Sequence, residues 1–102
     1  METQTLALSE FLLARIAEDE ERARGDIDHF GGTDEPRDKW IVRLAYRALA
    51  ECEAKRQIVV DLSPGAGEGE WYAGQDHLHE KVLQALALPY ADHPSHRNEW
   101  RP

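Results

Sequence analysis

The sequence predicts an all-α protein: a small three-helix bundle, built from a long antiparallel helical hairpin plus a short third helix, with a proline- and aromatic-rich C-terminal strap. Three observations carry this prediction. Apolar residues recur at helical spacing in three segments. Two glycine-rich stretches, GGTDEPRDKW and SPGAGEGEWYAGQ, separate those segments. Both linkers are short, which favours antiparallel neighbours. At 102 residues and 41% hydrophobic, the chain is long enough for one core and too apolar to be wholly disordered, so residues 1–102 read as one domain.

The first helix is expected over about residues 6–29, with Ser9 as N-cap if the opening turn is frayed. Leu12, Ile16, Ala23, Ile27 and Phe30 form its apolar stripe, with Leu8 and Phe11 beside it. EDEE at 18–21 interrupts that stripe. Four consecutive residues go round the whole helix, so Asp19 or Glu20 must point toward the stripe.

Gly31 and Gly32 end this helix, Thr33 or Asp34 suits a cap, and Pro36 suits the first turn of the next. The second helix spans about 36–62. Arg43, Arg47, Glu51 and Lys55 repeat every four residues as a polar stripe. Trp40, Ile41, Leu44, Ala45, Ala48, Leu49, Cys52, Val59 and Leu62 cover a wide arc, the pattern of a central helix. Residues 63–75 read as a loop, with Trp71 and Tyr72 pinning it to the bundle. The third helix, about 76–88, presents Leu78, Val82, Leu83, Ala85 and Leu86. It is too short to stand alone and must dock on the first two.

An antiparallel hairpin around GGTDE makes a specific forecast. Contacting residue numbers should sum to about 66–70. Asp19 and Glu20 then face Arg47, and Ala23 lies near Arg43. The two arginines would compensate the acids that interrupt the stripe.

The net charge is −8, and residues 1–39 hold eleven of the twenty acids. Arg43, Arg47, Lys55 and Arg56 form the only basic stretch, diluted by Glu51 and Glu53. Nucleic-acid binding draws its affinity from neutralised phosphates, so this composition disfavours it. No stretch approaches the length of a membrane span, and the N-terminus lacks a signal-peptide pattern, so the expected compartment is the cytoplasm. One cysteine excludes an internal disulfide, and Cys52 reads as a buried, inert thiol.

The residues capable of chemistry do not assemble by spacing. His77 and His79 are two apart, about 200° round a helix, and do not chelate one ion together. His93 and His96 converge with Asp92 only in a turn. Glu18 and Glu21 fit one half of the paired-carboxylate pattern of all-α nucleotide pyrophosphohydrolases, without a convincing second half. GAGEGEW lacks the strand, the lysine and the third glycine of a phosphate loop. These counts give no catalytic, cofactor or metal residue and no cofactor.

The tail, LALPYADHPSHRNEWRP, is the densest feature. Pro89 ends the third helix, and Asp92 and Pro94 suit a turn. Tyr90 and Trp100 carry large apolar bodies with polar tips. Residues 89–102 therefore read first as a strap over an open edge of the bundle. Tyr90, Asp92, His93 and Trp100 are the candidate interaction surface if the strap faces a partner instead.

Three stretches, FLLARIAEDEERAR, ALAECEAKRQIV and LALPYADHPSHRNEWRP, resemble a family of small uncharacterised proteins of actinobacteria and their phages. The resemblance covers most of the chain outside the two glycine-rich linkers. It implies a soluble intracellular protein carried by cells or mobile elements. It assigns no activity and so no site residue. It implies that the tail belongs to the domain.

These observations lead to a non-catalytic protein-interaction or regulatory module. Its expected partner is another protein or a second copy of itself as a homodimer, without a membrane. A third reading, a phage-borne regulator acting on a basic host surface by charge mimicry, rests on the net charge alone. The competing reading is a metal-binding protein or metal-dependent hydrolase using Glu18, Glu21, His77, His79, His93 or His96.

Overall fold

A computed structural model describes residues 2–63 and 75–101, with side chains described outside 2–5 and 75–77. Trp71, Tyr72 and the glycine-rich segment around them lie outside the described residues. The described residues form three α-helices: α1 (Glu2–Phe30), α2 (Pro36–Leu62) and α3 (Gln75–Ala87). Single 3-10 turns follow at Leu88–Tyr90 and Asn98–Trp100. The described residues hold no strand, and the fold is a small all-α bundle. Among them no helix is long and apolar enough to cross a membrane.

α1 starts earlier than a cap at Ser9 allows. Ser9 lies within the helix and is buried, and its hydroxyl has no hydrogen-bond partner among the described residues. At the other end, the Gly31 N–H donates to the Ile27 carbonyl at 2.8 Å. A Cβ on Gly31 would collide with that carbonyl oxygen, so the tight exit requires glycine. α2 opens on Pro36 after Glu35, which makes no side-chain cap. Thr33 does not cap α2; its hydroxyl lies 2.7 Å from the Asp38 carboxylate in the first turn.

The core occupies one half of the molecule. Leu8, Phe11, Leu12 and Ile16 of α1 meet Cys52 and Val59 of α2, Leu83 and Ala87 of α3, and Trp100. α1 is therefore the central helix, contrary to the expectation for α2. On α2 only Ala45, Cys52 and Val59 are buried, each seven residues apart on one edge. Trp40 and Leu44 are exposed because the third layer covers only part of the hairpin, and Tyr46, Ile58 and Val60 because they turn off the edge that Ala45, Cys52 and Val59 bury. On α3, Leu83 and Ala87 form the buried edge, while Leu78 and Val82 point outward.

The hairpin register also differs from the forecast. Glu20, 7% exposed, pairs with Arg56, and these numbers sum to 76. Arg43 and Arg47 sit two residues either side of buried Ala45, about 200° round the helix, and so face solvent. Arg47 pairs with Glu51 on its own helix at 3.1 Å, and Arg43 lies over the Trp40 ring. Arg56 lies between Cys52 and Val59 on the buried edge, where it reaches α1. Asp19 turns instead to the strap.

Candidate functional site

The strap forms a seam along α1. Phe11, Arg15 and Asp19 fall on one stripe of that helix, four residues apart. Tyr90 donates its hydroxyl to Asp19 at 2.6 Å. One Arg15 guanidinium nitrogen lies 2.9 Å from Nδ1 and 2.6 Å from Nε2 of His93. The Phe11 ring meets His96 at 5.7 Å and Trp100 at 5.0 Å between centroids. The strap thus descends α1 one turn at a time, antiparallel to it. Arg15 is held further by Glu18 at 3.0 Å and lies over Phe11.

This geometry turns the aromatic strap inward. Trp100 is 2% exposed and belongs to the core. Tyr90 is half-buried, and its hydroxyl is pushed well above the usual phenol range by burial, then by its bond to Asp19 and that carboxylate's charge. His93 spends its ring on Arg15 and on the Ser95 N–H, which donates to Nδ1 at 3.0 Å. Of Tyr90, Asp92, His93 and Trp100, only Asp92 is exposed. A partner surface built on the four together is not present in this fold. Rings need a dry neighbour, and Phe11 supplies it.

The metal candidates are dispersed. Glu18 is taken by Arg15, Glu21 is exposed, and His93 and His96 pack on Phe11. His79 is half-buried on α3, and the His77 side chain lies outside the described residues. Among the described residues, no three of His, Cys, Asp and Glu gather as a metal site.

What remains open is a groove of about 540 Å³ between α1 and α2. Its floor is Ala23, Ile41, Leu44, Ala45, Ala48 and Cys52; Asp19, Arg22, Asp26, Glu51 and Lys55 form its rim. The groove begins where the third layer stops. Cys52 belongs both to the cluster holding Leu83 and Ala87 and to the groove floor. Asp19 both holds Tyr90 and lines the groove. The Cys52 thiol is pushed up by burial and then by the Asp19 charge, which favours its protonated form.

The sequence reading missed Phe11 as the hub of the strap and Arg15 as its middle anchor. A signal was present: Phe11, Arg15 and Asp19 share a stripe, and rings recur at 90, 93, 96 and 100. It also named the groove residues of α2 only as parts of a wide apolar arc.

No curated protein and no solved structure matches the chain. A family model does match, over residues 5–102, and it therefore takes in the hairpin, α3 and the strap together. By that match the chain belongs to the family of unknown function DUF6221.

Proposed function

We propose that the protein is a non-catalytic protein-interaction module and that the α1–α2 groove is its docking surface. One observation carries this reading: the third layer of the bundle is half-length, and the hairpin beyond it has an apolar floor with a charged rim. Leu44 in that floor is 56% exposed, and Trp40 one turn away is 59% exposed. Side chains of this size on adjoining turns are costly to leave in water, at about 25 cal/mol per Å² of apolar surface.

Site-specific photo-crosslinking in the native host tests the reading. A photoreactive residue at Leu44 should capture a defined protein that one at Glu10, exposed and away from the groove, does not. The adduct should vanish in Ala48→Glu, with far-UV circular dichroism confirming that this variant is folded. Identical adducts from both positions, or none from Leu44, would overturn it.

A further inference from the structure

We infer that the groove takes a short amphipathic helix of a partner protein, carrying a cation and an anion on opposite flanks of its apolar seam, about five residues apart. This rests on the interaction-module reading and names the chemistry of the partner.

The first argument is continuity. α3 already shows what this face of the hairpin accepts. It is a 13-residue helix that lays one apolar edge, Leu83 and Ala87, against α1 and α2. The groove prolongs that seat from Cys52 toward the α1–α2 turn. Ile41 to Lys55 spans about 21 Å of α2, so about 14 helical residues fit along it. The small side chains of Ala23, Ala45 and Ala48 let an incoming helix approach closely.

The second argument is charge. Three of the rim charges are already engaged: Asp19 by Tyr90, Arg22 by Asp19 at 4.0 Å, and Glu51 by Arg47. Asp26 and Lys55 are half-buried on the rim, and among the described residues neither has an ion-pair or hydrogen-bond partner. The Glu20–Arg56 register sets Asp26 opposite residue 50, so Lys55 lies five residues, about 7.5 Å, further along the hairpin on the other rim. A helix with a lysine or arginine opposite Asp26 and a glutamate or aspartate opposite Lys55 neutralises both.

A second copy of the chain fits less well. Its hairpin, laid lengthwise in the groove with its turn at the same end, runs into α3 and the strap, which occupy the same face. Reversed end for end, it places acidic α1 on acidic α1.

Three synthetic 15-residue amphipathic peptides test the inference by calorimetric titration of the full chain. All share one apolar seam; the two flanking charges, five residues apart, are Lys/Glu, Lys/Lys or Glu/Glu. The Lys/Glu peptide should bind at least about threefold more tightly than either of the others. Asp26→Lys, a rim change outside the buried core, should shift the preference to Glu/Glu. Ala48→Glu should abolish binding of all three. Failure of every peptide to bind, or binding indifferent to the flanking charges and to Asp26→Lys, would overturn the helix. So would a dimer in sedimentation that excludes the peptides. A Leu44 adduct that persists alongside failed peptides would sink the helix and leave the interaction module standing.

Discussion

Ser9 separates two ways of starting α1. As an N-cap, its hydroxyl would satisfy a backbone N–H, and Ser9→Ala would cost about 1 kcal/mol. It is instead buried inside the helix with an unpartnered hydroxyl. Alanine removes that desolvation penalty and is the better helix former, so Ser9→Ala should stabilise by about 0.5–1 kcal/mol in urea denaturation. Gly25 makes the same kind of forecast without any burial. It lies within α1 with open space where a Cβ would be, and Gly25→Ala should add about 0.5–1 kcal/mol. Gly31→Ala should destabilise, because the Ile27 carbonyl fills that space. Tyr90 gives a pH signature. Its folded pKa is raised, so its contribution is complete below the ordinary phenol value of about 10 and is lost as pH rises above it. Stability measured from pH 9 to 11 should fall more steeply for the native chain than for Tyr90→Phe. Parallel slopes would refute the buried, Asp19-bonded hydroxyl.

The helices and the strap raise a different question, which is what fixes their mutual register. Between α1 and α2 the answer is the Glu20–Arg56 pair. Arg56→Ala strands a nearly buried carboxylate and should cost about 2–3 kcal/mol, the low end because Arg56 is partly exposed. Glu20→Gln combined with Arg56→Met should recover most of that loss. Between the strap and α1 the answer is Phe11. Trp100→Ala should cost about 3–5 kcal/mol by opening a cavity against Phe11 and the core. A chain ending at Leu88 loses Tyr90, His93, His96 and Trp100 together and should unfold with little cooperativity. If such a chain retained a sharp thermal transition, the strap would be dispensable and the seam along α1 would not hold the core.

The whole molecule is long and thin, with extents of 54 × 30 × 16 Å and a radius of gyration of 16.4 Å. A compact domain of this length has about 13 Å. The cause is the half-length third layer, which leaves the turn end of the hairpin only two helices thick. Small-angle scattering at low concentration should return a radius near 16.4 Å. A value near 13 Å would mean that the chain folds back over its own groove, and the docking surface would disappear with it.

By itself the sequence determined the all-α class, the glycine exit at Gly31 and the proline entry at Pro36. These follow from local causes: spacing of apolar residues and backbone conformation at glycine and proline. Only the tertiary structure decided which arginine meets Glu20, which helix is central and which way the strap faces. Arg43, Arg47 and Arg56 are all plausible partners for an acid on α1, because each is a cation one or more turns from its neighbour. The choice among them rests on the edge that Ala45, Cys52 and Val59 bury, and burial is a property of the packed bundle. The groove was illegible for the same reason. Ile41, Leu44 and Ala48 read as core in a sequence, and become a surface only because α3 stops at Ala87 and the strap turns back along Asp19, Arg15 and Phe11.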